Sequence, residues 1–196
     1  MSLDHKSAPR HGVLLLGLSL CRVAQAHAGS SQGWLHPLTG IDHLLAMVAV
    51  GAWSAQIGGR AIWLVPSAFV LCMLLGGLAG FNQVDLPGVE TGIAVSVLLL
   101  GLAIGTASVV PTLIAAATVG MFGVFHGYAH GYEMPVMDDK LDYVGGFLLT
   151  TAALHLVGAV GAVYLLKRER GGPYLRRAGL ACAACGVFLI VKTILG

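Results

Sequence analysis

The chain has 196 residues, of which 57% are hydrophobic and only 10% are charged. An ordinary soluble domain carries about 25% charged residues, and the mean hydropathy of +0.84 points to a lipid environment. The formal net charge is only +2, so the composition indicates no basic surface for nucleic acid. It predicts a polytopic membrane protein and excludes an ordinary soluble domain.

The N-terminus has the features of a cleavable signal peptide. A basic start precedes an apolar run over 12–20 that is too short to cross a bilayer, and the sequence AQA at 24–26 is a small-x-small cleavage site. We expect residues 1–26 to be removed and residues 27–196 to form the transmembrane domain. The alternative is an uncleaved anchor, because Arg22 is unusual between an apolar run and a cleavage site.

Six longer apolar runs follow, each near the roughly 17 to 25 residues that a membrane-spanning helix needs. They lie at about 35–57, 61–80, 89–107, 111–132, 142–166 and 176–195. The predicted fold class is therefore all-α: a polytopic membrane bundle of six transmembrane helices after removal of the signal peptide.

The charges of the loops predict the orientation of this bundle. If the signal exports the N-terminus, the segment 167–177 lies in the cytoplasm, and its five basic residues satisfy the positive-inside rule. The loops around 81–88 and 133–141 then face outward, and they carry more acidic than basic residues. We expect a multi-pass membrane protein with the mature N-terminus and the C-terminus on the outer side.

Imidazole and carboxylate side chains are concentrated in these apolar runs, where one charged group costs roughly 2.5 to 3.5 kcal/mol. The candidate metal ligands are His27, His36, Asp42, His43, Glu90, His126, His130, Glu133 and His155. In the predicted topology most of them lie in the outer half of the bundle. Such ligands suit nickel, zinc, copper and cobalt, so the residues alone predict a site for a borderline divalent cation.

The fourth span presents its candidate ligands as one stripe. His126, His130 and Glu133 stand at i, i+4 and i+7 of a predicted helix, so they can face the same neighbour. The adjacent ridge consists of Gly123, Gly127 and Gly131. Small residues at this spacing let another membrane helix approach closely.

In the first span, His36 and His43 would share one face of a continuous helix, about two turns apart. Pro37 and Gly40 lie between them and predict a break, which is tolerated at membrane depth only where it lines a cavity or the protein interior. Cleavage after residue 26 would also leave His27 with an α-amine and an imidazole that together can chelate a cation at the outer mouth. The alternative for His27 is an unused stub left by the peptidase.

Three of the candidate ligands have structural alternatives. His155 stands alone in its span and could hydrogen-bond to a neighbouring helix instead of binding metal. Glu90 begins a span, where an acid is favoured by the helix dipole, and Glu133 lies at a boundary where water can solvate it. Asp42 is harder to explain as a structural ion pair, because its own span, 35–57, contains no Lys or Arg.

The sequence HPLTGIDHLLAMVAVG at 36–51 resembles the first-span signature of the HupE/UreJ family, small nickel permeases associated with hydrogenase and urease systems. FHGYAHGYE at 125–133 resembles the second signature, Glu90 with Ser96 the third-span pattern, and His155 in ALHLVG the fifth-span pattern. The resemblance covers nearly the whole mature chain. It implies nickel uptake across the bacterial inner membrane, with both termini of the mature chain in the periplasm and these histidines and acids as the path.

The chain contains no GxxxxGK[ST] motif, so we expect no nucleotide partner and a facilitated or secondary mode of transport. Nickel is then a transported substrate, with cobalt and zinc open as alternatives, and no cofactor is permanently bound. The rival hypothesis is an intramembrane zinc-dependent hydrolase, with histidines and an acid holding zinc beside an activated water, or another metal-binding membrane protein. The sequence leaves the oligomeric state open.

Overall fold

The computed structural model describes residues 32–134 and 140–195, and every regular element within them is a helix. The helices are α1 (Gln32–Thr39), α2 (Ile41–Ile57), α3 (Ala61–Phe81), α4 (Val89–Gly105), α5 (Thr112–Tyr132), α6 (Lys140–Leu166) and α7 (Gly171–Leu195). This order confirms the predicted all-α fold. The predicted signal peptide, with His27 beyond it, lies outside the described residues.

Six helices form the membrane bundle. By length and composition, α3, α5, α6 and α7 are able to cross a bilayer. The helices α2 and α4 are apolar and have 17 residues each, the lower end of the roughly 17 to 25 residues that a span requires. Large apolar side chains cover the outer surface, with Trp63 72% and Leu113 82% exposed. Such a surface suits lipid.

The first predicted span consists of two helices separated at Gly40, whose backbone is extended (φ −86°, ψ 114°). The N–H of Leu44 donates to the Gly40 carbonyl oxygen at 2.9 Å and closes the first turn of α2. The break expected around Pro37 and Gly40 is therefore present. The helix is interrupted between His36 and His43, so these two residues lie in different helices, α1 and α2.

The helices α3 and α5 run parallel and form the most extensively packed pair. A Cβ atom on Gly127 would lie 1.8 Å from the carbonyl oxygen of Met73, and one on Gly131 would lie 2.0 Å from that of Gly77. Only glycine permits such a close approach of two backbones. The predicted glycine ridge thus packs against another helix, and its partner is the second span.

Two further helix pairs complete the bundle. The helix α2 runs parallel to α6, where a Cβ on Gly51 would lie 1.9 Å from the carbonyl oxygen of His155. The helix α4 runs antiparallel to α7, where a Cβ on Gly101 would lie 2.3 Å from the amide nitrogen of Ala183. The starts of α2 and α4 and the end of α5 meet at one end of the bundle, called here the site end.

The last helix begins earlier than predicted, at Gly171 rather than near residue 176. Pro173 lies in its first turn, where a missing N–H breaks no helical hydrogen bond. Nε of Arg176 donates to the carbonyl oxygen of Gly105 at 3.0 Å and so caps α4. Part of the basic segment is therefore helical and lies beyond the apolar portion of the span.

Candidate metal site

The site begins with a carboxylate and an imidazole in the first turn of α2. One oxygen of Asp42, Oδ1, accepts the backbone N–H of His43 at 2.8 Å and lies 2.9 Å from Nδ1 of the same residue. A Cβ on Gly40 would lie 2.9 Å from that oxygen. The helix break at this glycine therefore provides the room in which the pair forms.

The Asp42 carboxylate sets the tautomer of His43. A carboxylate only accepts hydrogen bonds, so Nδ1 carries the proton and Nε2 of the neutral ring keeps a lone pair. Metal-binding histidines are commonly oriented by a carboxylate in this way. Nε2 of His43 is buried and makes no hydrogen bond within the described residues. This nitrogen therefore keeps a lone pair that is able to bind a cation.

Ser96 of α4 orients a second imidazole in the same way. The Ser96 hydroxyl donates to the Ile93 carbonyl oxygen at 2.7 Å, and its oxygen lies 2.9 Å from Nε2 of His126. Because the hydroxyl proton is already used, Nε2 of His126 is the donor and its Nδ1 keeps the lone pair. That Nδ1 is also buried without a hydrogen-bond partner in the described part of the chain.

Three imidazoles meet beside the carboxylate. The ring centroid of His43 lies 4.8 Å from that of His126 and 4.4 Å from that of His130, and both contacts are edge to face. These three rings, with Asp42, are called the histidine cluster. Across residues 32–134 and 140–195, no group of three or more His, Cys, Asp or Glu side chains is arranged so that it could hold a metal ion. The three rings are adjacent, but their nitrogen atoms do not converge on one point.

His155 lies outside the histidine cluster. Its ring on α6 is buried, and its centroid is 5.1 Å from that of Phe69 on α3. The same Phe69 ring lies 5.4 Å from His126. Both ring nitrogens of His155 are buried without a hydrogen-bond partner among the described residues. The structure thus separates His155 from the predicted common site by one aromatic ring, and it shows no interhelical hydrogen bond from this residue.

The two glutamates line a cleft at the site end. Glu90 and Glu133 are both exposed, and together with Asp85 and Tyr128 they border a space of about 580 Å³. This cleft lies beside the turn of α5 that carries His130. The structure therefore places these acids at a mouth near the histidine cluster and not within it. His36 lies in α1, and the backbone position is all that is described for it.

Two aromatic residues near the imidazoles had no signal in the sequence. The Phe147 ring centroid lies 4.0 Å from that of His130, and Phe69 separates His126 from His155. An aromatic side chain in an apolar span is indistinguishable from ordinary core by pattern alone. Only the helix pairings identify these rings as walls around the histidines.

The fold and the site define a multi-pass helical membrane protein with a buried histidine cluster beside a carboxylate. The chain matches the family model described as HupE / UreJ protein over residues 14–189. Protein HupE of Rhizobium leguminosarum bv. viciae is 44% identical over 182 residues, which cover 90% of this chain and 95% of that protein.

The chain therefore belongs to the HupE/UreJ family, and the resemblance inferred from the histidine signatures is confirmed. Membership supports a role in nickel or other metal transport, or an accessory role to it. No solved structure gives a significant match.

The contact between His43 and His126 predicts a crosslink. In a chain whose four native cysteines are alanine, we expect His43→Cys and His126→Cys to be joined by a short bifunctional thiol reagent in membranes, because the two rings are adjacent. The matched control combines His43→Cys with Met121→Cys, since Met121 lies on the exposed side of α5. Peptide mapping by mass spectrometry reads the result. Reaction of the control pair alone would show that α5 faces the other way.

Proposed function

We propose that this protein takes up divalent nickel across the bacterial inner membrane, as a facilitated or secondary transporter, through the histidine cluster. The observation that carries this proposal is the pair of buried nitrogens, Nε2 of His43 and Nδ1 of His126, that keep lone pairs beside the Asp42 carboxylate. A buried polar atom without a partner is costly. A cation that accepts both lone pairs removes that cost.

The ligand chemistry fits a borderline cation in transit. Imidazole nitrogens suit nickel, and the carboxylate offsets part of its charge. A site on a conduction path must bind strongly enough to remove water and weakly enough to release the ion. The imidazoles are adjacent, but their nitrogens do not point at one position. Binding must therefore also rotate the rings, and the free energy of that rotation keeps the ion from being held too tightly.

The acids and His155 extend the proposed path in two directions. The cleft that contains Glu90 and Glu133 attracts cations and concentrates them near His130. Beyond the histidine cluster, His155 offers the next imidazole toward the other end of the bundle. We assign His36, and His27 if cleavage exposes it, to capture before the cleft. The cation thus meets acids first and imidazoles at depth.

The membrane potential is the proposed driving force. A divalent ion gains about 4.6 kcal/mol per 100 mV, at about 2.3 kcal/mol per charge. This requires the site end to face the periplasm, with both termini of the mature chain there. The five basic residues of 167–177 at the opposite end favour that orientation. No resident cofactor and no catalytic step belong to this mechanism.

Nickel flux into sealed vesicles tests the proposal. We expect liposomes containing the full-length protein to accumulate nickel when the interior is made negative, and to take up little magnesium, because magnesium prefers oxygen ligands and keeps its water. Liposomes without protein give the background. Binding of nickel without net entry would contradict transport and would favour the rival class, a metal-dependent membrane hydrolase.

A further inference from the structure

A group of sulfur and oxygen atoms of a kind that can bind metal lies between the histidine cluster and His155. We propose that Met47, Met73 and Thr151 form a soft-ligand subsite that passes the cation from the histidine cluster to His155. This inference rests on the proposed transport function and adds a specificity element to it.

The three side chains converge in the middle of the bundle. Met47 of α2, Met73 of α3 and Thr151 of α6 are 0%, 1% and 0% exposed, respectively. The Thr151 hydroxyl oxygen lies 3.5 Å from the sulfur of Met47 and 4.0 Å from the sulfur of Met73. The sulfurs of two methionines from two helices therefore lie within 4.0 Å of one hydroxyl from a third helix.

The hydroxyl of Thr151 donates toward sulfur, whereas the neighbouring Thr150 donates to a backbone carbonyl oxygen, that of Trp34 on α1. Ser54, Ser96 and Thr106 donate to a carbonyl oxygen of their own helix, the usual arrangement for a membrane hydroxyl. Thr151 donates instead toward the two sulfurs. A single hydroxyl proton can serve only one of them at a time. When a cation binds, the hydroxyl can rotate, so that the oxygen and both sulfurs all offer lone pairs.

The helical repeat places this group between the two histidine positions. Met47 follows His43 by four residues on α2, and Thr151 precedes His155 by four residues on α6. Because α2 and α6 run parallel, each step is one turn, or about 6 Å, in the same direction. A cation moving from the histidine cluster to His155 passes the level of the two sulfurs. Without the two sulfurs and the Thr151 hydroxyl, the cation would meet only hydrocarbon side chains between the histidine cluster and His155.

Thioethers suit the chemistry of such a step. They are uncharged, polarisable ligands that favour soft and borderline cations over magnesium, calcium and manganese. An uncharged ligand also retains a divalent cation less tightly than a carboxylate does. Ordinary packing explains the burial of two methionines, but it gives no reason for a hydroxyl to be directed at both sulfurs. The group is therefore suited to both selection and release.

The first test removes the sulfurs and keeps the volume. Met47→Leu with Met73→Leu conserves packing, since exchange of Met and Leu is well tolerated in cores. We expect the nickel flux into liposomes to fall about tenfold, the equivalent of about 1.4 kcal/mol, and the ratio of nickel to manganese flux to fall with it. The matched control is Met121→Leu, because Met121 is 55% exposed on α5. Its flux should equal that of the unaltered protein.

The second test uses Thr151 and a spectroscopic signal. Thr151→Val keeps the shape and should lower flux, whereas Thr151→Ser restores the hydroxyl and should recover flux relative to the valine variant. X-ray absorption of the nickel-loaded full-length protein should show sulfur in the nickel shell, and the double leucine variant should lose that sulfur.

The outcomes separate this inference from the proposed function. If the unaltered protein moves nickel and the double leucine variant moves it equally fast with equal selectivity, the subsite is wrong and transport stands. If the unaltered protein moves no nickel, transport fails, and the X-ray absorption still decides the subsite. An absence of nickel–sulfur scattering in the unaltered protein would overturn it.

Discussion

Replacing Asp42 with alanine is expected to reduce nickel uptake to the background of protein-free vesicles while the protein still inserts in the membrane. The substitution removes the hydrogen bond that orients the His43 ring. It also removes the negative charge that offsets the cation. At about 4 Å and an effective dielectric constant of about 20, one pair of unit charges interacts by about 4 kcal/mol, equivalent to roughly a thousandfold in affinity.

Asp42→Asn separates the two roles of this side chain. Its amide oxygen still accepts the Nδ1 proton of His43, so the ring keeps its orientation and only the charge is lost. We expect uptake by this variant to exceed that of Asp42→Ala and to remain far below that of the unaltered protein. Glu169→Ala, at an exposed position in the turn between α6 and α7, is the matched control. Normal nickel accumulation by Asp42→Ala, at an equal amount in the membrane, would remove Asp42 from the path.

The transmembrane helices were predictable because the solvent imposes a simple rule. A bilayer requires a run of apolar residues of a certain length, so α3 and α5 were located to within one or two residues. The start of α7 was less predictable, because residues 171–175 precede the apolar run and are nevertheless helical. Hydropathy identifies the apolar part of a helix. The backbone hydrogen bonds of the helix can continue into polar residues beyond that part.

The candidate site was predictable where its residues share one helix. The spacing of His126 and His130 places them on one stripe, and adjacency in sequence places Asp42 beside His43. Partners on different helices follow from helix packing, which a single sequence does not encode visibly. The glycine ridge could predict that α5 packs closely, but it could not select α3 as the partner. The position of His155 behind Phe69 depends on that choice.

The sequence could not predict which nitrogen of the His126 imidazole carries the proton, because this depends on a hydrogen bond between helices. The resemblance associated Ser96 with Glu90 in the third-span pattern, but the sequence did not connect Ser96 with His126. The hydrogen bond between them determines which nitrogen of His126 keeps its lone pair. In the same way, the sequence pattern identifies Met47 only as a core residue, and the contacts of Thr151 with Met47 and Met73 are what suggested the proposed subsite. Ligand type is visible in a sequence, whereas ligand direction is a property of the packed helices.

The second large effect is expected from one methyl group at the interface of α3 and α5. In Gly127→Ala, the new Cβ would lie 1.8 Å from the carbonyl oxygen of Met73. Carbon and oxygen settle at about 3.3 to 3.6 Å, and both atoms here are fixed to helix backbones, so the helices must separate. Overpacking of a core typically costs about 1 to 3 kcal/mol. The separation also moves His126 away from Phe69, so nickel flux should fall together with stability.

Two alanine variants provide matched controls for this interface. Gly77→Ala faces the same interface, but its Cβ would lie 3.5 Å from the carbonyl oxygen of Gly127, an ordinary contact. Gly161→Ala on α6 would meet no atom within 4 Å, and alanine favours a helix over glycine by up to about 1 kcal/mol. Thermal unfolding of the detergent-solubilised protein should therefore show Gly127→Ala well below the unaltered protein, Gly77→Ala close to it, and Gly161→Ala equal or higher. Equal stability and equal nickel flux for Gly127→Ala would mean that α3 and α5 do not approach each other at this glycine, and the placement of His126 beside Phe69 would be wrong with it.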